Sequence, residues 1–150
     1  MKISLGCDEA AYQLKRNNQT TPQKAGHEVI DNGVGEGEVE LYPDVAVRTC
    51  KKVTDGTCDR GILVCGTGIG MAMTANKVPG IRAAVCHDPF STERSVLSND
   101  ANVMCMGARV IAPQLALYLL DIWMRLTFKN GPSTPKVERI MEYQKEFCGK

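Results

Sequence analysis

The decapeptide GILVCGTGIG, residues 61–70, decides how the rest of the chain is read. Ile62, Leu63 and Val64 form an apolar run that ends at Cys65. Gly66, Gly68 and Gly70 then alternate with Thr67 and Ile69 before residues 71–77 resume helical spacing. That order predicts a strand, a tight turn and a helix. Glycines in such a turn let the backbone come close to a ligand, and the amides opening the next helix favour an anion in front of them. Cys65 and Thr67 are the side chains of this turn that carry chemistry.

Outward from this turn the chain alternates between two periodicities. Residues 2–6 predict a first strand that delivers Asp8 to its carboxyl end, and residues 9–15 a helix that Asp8 can cap. The polar stretch before Pro22 predicts that this helix ends before the proline. A second strand falls within residues 27–34 and an exposed loop over 33–40; Tyr42-Pro43-Asp44 opens the next helix, with proline in its first turn. After the central turn come a strand over 81–86, a helix over 90–97 and a strand over 102–106. Asp88-Pro89 reads as the start of that helix or as plain loop. Residues 113–128 repeat Leu115, Leu119, Ile122, Trp123 and Leu126 at helical spacing, and 135–147 form a last amphipathic helix. Strands alternating with helices predict an α/β fold with a doubly wound parallel sheet, organised as one domain over residues 1–150. Ligands bind such sheets at the carboxyl ends of the strands, where Asp8, Cys65, Thr67 and Asn99 are expected to converge.

Composition narrows the function. A formal charge of +1 without a Lys/Arg block gives no electrostatic footprint for nucleic acid. No apolar run approaches the ~20 residues of a membrane span. Residues 1–4 lead into a strand pattern rather than a signal peptide, so a cytoplasmic protein is expected. The seven cysteines are scattered singly, with no CxxC pair, and neither His27 nor His87 has a neighbour at metal-ligand spacing. Cys7, Cys86 and Cys105 read as small buried hydrophobes. The turn reads GxGxG rather than GxGxxG, and no Gly-Lys-Ser/Thr follows it, which argues against dinucleotide and P-loop sites.

A set of motifs in order carries a resemblance. Gly6-Cys7-Asp8, Tyr42-Pro43-Asp44, Cys65-Gly66-Thr67-Gly68-Ile69-Gly70, Ala75-Asn76-Lys77, Gly80-Ile81-Arg82-Ala83, Asn99-Asp100-Ala101-Asn102 and Gly107-Ala108-Arg109-Val110 together resemble the ribose-5-phosphate isomerase B / galactose-6-phosphate isomerase family. The resemblance implies a Rossmann-like three-layer fold with a five-stranded parallel sheet and a C-terminal helix used in dimerisation. It also implies a homodimer, or a tetramer built from dimers, with active sites at the subunit interface. The implied reaction is cofactor-free aldose–ketose isomerisation of a sugar phosphate. Such a reaction needs a base that takes and returns a proton, and donors that hold the enediolate charge. By resemblance Cys65 is the base, and the backbone from Gly66 through Gly68 and Ile69 to Gly70, helped by Thr67, forms the anion hole. Asp8 joins them as a catalytic residue, and Glu9, Tyr42, Ser98, Asn99, Arg109 and Lys136 as substrate-binding ones; no metal is implied.

The departures from the family bear on substrate. Glu9 follows Cys-Asp where the ribose-5-phosphate enzymes usually carry histidine, and Ser98 stands where they usually carry the histidine that opens the furanose ring. The usual Gly-Gly-Arg-His-x-x-Arg becomes Asn130-Gly131-Pro132-Ser133-Thr134-Pro135-Lys136, so a point charge replaces a planar fork at the last position. A tetrose 4-phosphate has its carbon-4 oxygen esterified and cannot close a five-membered ring, so it needs no ring-opening acid. Tetrose phosphate turnover, between D-erythrulose 4-phosphate and D-erythrose 4-phosphate, is therefore expected to exceed ribose 5-phosphate turnover. The alternative is a non-catalytic sugar-phosphate binding protein that keeps the fold and the anion hole.

Overall fold

A computed structural model describes residues 1–149, and for residues 18–21 the backbone only. Five strands, β1 (Lys2–Cys7), β2 (Glu28–Asp31), β3 (Arg60–Cys65), β4 (Ala83–Val85) and β5 (Val103–Gly107), form one sheet. All of its pairings are parallel and its order is β2-β1-β3-β5-β4. The helices are α1 (Tyr12–Lys24), α2 (Tyr42–Thr54), α3 (Ile69–Ala75), α4 (Pro89–Leu97), α5 (Pro113–Arg125) and α6 (Thr134–Cys148). On one side of the sheet α2 packs with α3, and α5 packs with both α1 and α4. The expected three-layer α/β fold follows.

Because helices cover both faces, the central strands are continuous apolar runs rather than alternating ones. Ile62, Leu63 and Val64 of β3 and Met104 and Met106 of β5 are fully buried, as are Leu119, Leu120 and Trp123 of α5. Each such side chain contributes about 1.5–3 kcal/mol on burial. The helix expected over 113–128 stops at Arg125, where Leu126 turns extended. Arg60 explains the stop: its guanidinium lies 4.8 Å from the Trp123 ring and donates to the Trp123 and Leu126 carbonyls at 2.9 and 2.7 Å.

Three local expectations are corrected. The first helix does not end before Pro22; it runs to Lys24, and Pro22, which supplies no amide hydrogen to the helix ladder, is followed by only two more helical residues. Asp8 makes no side-chain cap bond to the short 3₁₀ turn Glu9–Ala11 that precedes α1. β2 is only four residues long, and the loop after it is partly internal. Val34 is buried and its amide donates to Cys7 O at 3.0 Å, while Gly33 passes so close that a Cβ there would lie 2.5 Å from Cys7 N.

The β4 side of the sheet is the open one. β4 is a three-residue edge strand, and the Asn76 amide takes both outward main-chain groups of Ala83, accepting from its N–H at 2.8 Å and donating to its carbonyl at 2.9 Å. The Asn76 amide thus occupies groups that another strand would otherwise take. On the β5 side, the Asn102 amide accepts from Arg82 N and donates to Gly80 O, both at 2.8 Å. Helix α6 lies beside this edge, held through Gln144 Oε1 to Gly80 N and through Arg82 to Met141 Sδ. Val137 is its buried residue, while Ile140, Tyr143 and Phe147 are exposed. Between α6 and β4 runs a groove of about 550 Å³, lined by Ile81, Ala83, Ala84, Ile140, Tyr143 and Phe147 among others.

Candidate active site

Cys65 ends β3 at the middle of the sheet, on its carboxyl edge, and is 5% exposed. The turn after it is held by specific close approaches. Gly68 has φ +77°, and a Cβ there would lie 2.9 Å from the Met106 carbonyl carbon, so both conformation and space demand glycine. A Cβ on Gly70 would meet the Tyr42 ring at 2.7 Å, which places Tyr42, at the start of α2, flat against the opening of α3. A Cβ on Gly107 would meet the Thr67 backbone at 2.7 Å.

Main-chain bonds lock the end of β5 to the same turn. Ala108 N donates to Cys65 O at 2.8 Å and Arg109 N to Gly66 O at 3.0 Å. The Arg109 side chain then lies over Gly66, with Nη1 3.5 Å from where a Cβ would stand. Inside the turn, Gly68 N donates to Cys65 Sγ at 3.1 Å, and Ile69 N to Thr67 Oγ1 at 3.3 Å. Among the described residues, the amides of Gly66, Thr67 and Gly70 donate to no protein acceptor. A sulfur nucleophile or base and a row of free donors therefore stand side by side.

Asp8 sits at the end of β1 on the same edge, 8% exposed, and its Oδ1 has no hydrogen-bond partner. Burial, then the neighbouring Glu9 charge, raises its pKa above the ordinary carboxylate value; the Ala10 amide and the Arg109 charge oppose this. A carboxyl held toward its neutral form in a site can donate a proton. Glu9 itself is exposed and lines a separate shallow pocket with Tyr12, Gly35 and Glu38. Cys7, Cys50, Cys86 and Cys105 are fully buried thiols of the core. Burial pushes Cys7 and Cys50 up to about 12 and raises Cys86 and Cys105, which makes them inert packing groups.

The remaining candidates lie elsewhere. Helix α4 leaves the carboxyl end of β4 and returns to the amino end of β5, so Ser98 and Asn99, at its finish, stand at the opposite edge of the sheet from Cys65. The expected convergence of Asn99 with Asp8, Cys65 and Thr67 does not occur within one chain. Asn99 donates to Arg94 O at 2.9 Å and lines the groove beside α6. Ser98 Oγ is 3.5 Å from Arg94 Nη1, and Lys136, on the first turn of α6, lines a surface hollow with Pro135, Arg139, Ile140 and Tyr143.

Sequence reasoning missed the part that His87 plays at this edge, where its Nε2 accepts the Gly107 amide at 2.9 Å. The available signal was positional: His87 comes two residues after β4, at the same carboxyl edge that Asp8 reaches directly after β1. Among the described residues no group of three or more His, Cys, Asp or Glu side chains could hold a metal ion, and no helix is long and apolar enough to cross a membrane.

Comparison with known proteins bears on this arrangement. A sequence profile of the Ribose/Galactose Isomerase family matches residues 3–140. Over 142 residues the chain is 50% identical to the "Ribose-5-P isomerase B" of Listeria innocua, covering 95% of this chain and 96% of that one. Over 145 residues it is 46% identical to the "D-erythrulose-4-phosphate isomerase" of Pectobacterium atrosepticum, covering 96% and 95%. The solved structure of ribose-5-phosphate isomerase B from Clostridium thermocellum superposes with a TM-score of 0.95 at 43% identity, over 98% of this chain and 99% of that one.

Proposed function

The chain belongs to the ribose/galactose isomerase family, and on that premise we propose that it interconverts D-erythrulose 4-phosphate and D-erythrose 4-phosphate with Cys65 as the base. It is an aldose–ketose isomerase of sugar phosphates; the substrate and the role of each residue are the proposal. The supporting observation is the turn itself, where the sulfur accepting the Gly68 amide stands beside the free amides of Gly66, Thr67 and Gly70.

In the ketose-to-aldose direction the Cys65 thiolate removes a proton from carbon 1 of the open chain. The electron pair moves onto the carbon-2 oxygen, giving an enediolate whose charge the free amides and the Thr67 hydroxyl hold. Asp8, favoured in its neutral form, gives a proton to that oxygen and recovers one from the carbon-1 hydroxyl. Cys65 returns its proton to carbon 2. No external oxidant or cofactor is needed, because the two carbons exchange oxidation state. Arg109 and Lys136 supply positive charge for the phosphate, with Tyr42 and Ile69 walling the sugar chain.

Ser98 favours the tetrose over ribose 5-phosphate, since a hydroxyl stands where the ribose enzymes usually hold an acid for ring opening and a tetrose 4-phosphate has no ring to open. Ser98, Asn99 and Lys136 reach the turn only if a second copy lends them, and the open groove beside α6 is where that copy would sit in a homodimer. Seven unpaired thiols suit the reducing cytoplasm. A panel of tetrose, pentose and hexose phosphates tests the substrate. The expected kcat/KM for D-erythrulose 4-phosphate is at least about tenfold above that for ribose 5-phosphate, a modest gap for one polar group in a site. Equal or better ribose 5-phosphate turnover would overturn the tetrose assignment. A non-catalytic binder would show no exchange of substrate protons with heavy water.

A further inference from the structure

The end of β5 that braces the active-site turn is itself held by one side chain. β4 pairs with β5 through Ala83↔Val103, Ala84↔Met104 and Val85↔Cys105, and the ladder's last main-chain bond is Cys86 N to Cys105 O at 2.9 Å. Beyond it the chain turns away through Asp88, which caps α4 by accepting from Ser91 N at 2.7 Å. β5 continues for two more residues, paired with β3 alone. On the vacated side, the Gly107 N–H donates to His87 Nε2 at 2.9 Å. The imidazole replaces the main-chain acceptor that β4 no longer supplies.

This bond fixes the state of the ring. A backbone amide only donates, so Nε2 must be bare and the proton must sit on Nδ1. An imidazolium would set one N–H against another and lose the bond. We propose that His87 is a positioning residue for the isomerase reaction, its neutral ring clamping Gly107 so that Thr67 and Arg109 stay aligned, and its protonation releasing the clamp.

The coupling runs through contacts already described. Gly107 lies against the Thr67 backbone, Ala108 holds the Cys65 carbonyl, and Arg109 holds the Gly66 carbonyl and covers that residue with its side chain. Loss of the Gly107 bond therefore loosens both the anion-hole turn and the arginine above it. Burial holds the His87 pKa below its ordinary value, while Asp88 at the head of α4 pulls it the other way. Met106, Gly107 and Ala108 at the end of β5 bring no charge to the ring, and the next charged residue, Arg109, is turned over Gly66. The neutral clamp is accordingly the form present at and above pH 7.

The inference rests on the isomerase reading, and its test has one arm that does not. In the first arm, His87→Gln offers an uncharged acceptor oxygen at the reach of Nε2, and His87→Phe fills the space without an acceptor. Phe is expected to lower kcat about tenfold while changing KM less than about twofold, the loss being that of a single hydrogen bond to a half-buried amide. Gln is expected to recover most of that loss and to flatten the acid-side fall in activity expected of wild type, whose midpoint lies below the ordinary imidazole pKa of about 6.5. In the second arm, nitrogen and amide-proton chemical shifts of wild type are followed against pH; the Gly107 amide is expected to move with the same midpoint as the His87 ring. That arm stands even where the Phe variant fails to fold or no sugar phosphate is turned over, so failure of the isomerase reading remains distinguishable. A Gln variant that keeps the wild-type acid limb, or a Gly107 amide indifferent to His87, would overturn the clamp.

Discussion

Two regions of this molecule hold the residues proposed to act on the sugar phosphate, and they are built in opposite ways. The carboxyl edge around Cys65 is closed upon itself. Glycines at 68, 70 and 107 admit a left-handed turn, a tyrosine ring and a neighbouring backbone, and Ala108 and Arg109 bond to the carbonyls of Cys65 and Gly66. The β4–α6 side is open: a three-residue edge strand, a helix with one buried residue, exposed Ile140, Tyr143 and Phe147, and a groove of about 550 Å³. Cys65, Thr67 and Asp8 belong to the first region, and Ser98, Asn99 and Lys136 to the second. The difference teaches that, on the proposed reading, one chain carries the turn with its base and, apart from it, the rim that would hold the substrate. The path of α4, which ends at the amino edge of the sheet, keeps Ser98 and Asn99 from the turn within a chain. A two-fold pair can bring one copy's rim to the other's turn.

The comparison breaks most sharply at the sulfur. Cys65→Ala removes the proposed base together with the bond its sulfur accepts from Gly68 N, and kcat is expected to fall about 10³-fold, within the usual range for a general base, with the fold intact by circular dichroism. Persistent exchange of substrate protons with heavy water in that variant would move the chemistry away from the turn.

Asp8 sharpens it next. Asp8→Asn should cost about 10²-fold in kcat, since an amide cannot shuttle the proton. It should also stabilise the protein. The folded pKa of Asp8 is raised above its unfolded value, so wild type loses stability as pH climbs from about 3.8 through that folded pKa. The Asn variant escapes this loss. Its Tm is expected to exceed that of wild type by a few degrees at pH 7, on the scale of about 2–4 °C per kcal/mol for a chain of this size, and to converge with it as pH falls toward 4. Equal Tm at both pH values would show that Asp8 carries no burial penalty.

The smallest single effect is expected in the rim. Asn99→Ala and Lys136→Ala should each lower kcat/KM about tenfold, chiefly through KM, because each removes binding rather than the base.

Much of the first region was legible in the sequence. The apolar run before Cys65, the alternating glycines and the run before Gly107 each demand a buried strand followed by a tight turn, and Trp123 among leucines at helical spacing demands a core-facing helix. The second region was harder to read. A three-residue edge strand leaves little periodicity, and Asn76 and Asn102, which bind its main chain, look like loop residues. The continuation of α1 through Pro22 reflects tertiary packing over local propensity. The edge at which Asn99 stands is not legible from its motif, which carries no direction; only the path of α4 supplies it. His87 escaped notice because its partner is a backbone amide, and such partners have no residue-type signature.

The most direct test of the divided site, assayed with substrate far below KM, mixes two variants that each keep about a hundredth of wild-type activity or less there: Cys65→Ala, with a dead turn and a sound rim, and the Asn99→Ala/Lys136→Ala double variant, with the reverse. Co-refolded in equal amounts, half of the random pairs are mixed, and each mixed pair unites one sound turn with one sound rim, so about a quarter of wild-type activity should return. Activity no greater than the average of the two separate variants would contradict the account and place the whole site within a single chain.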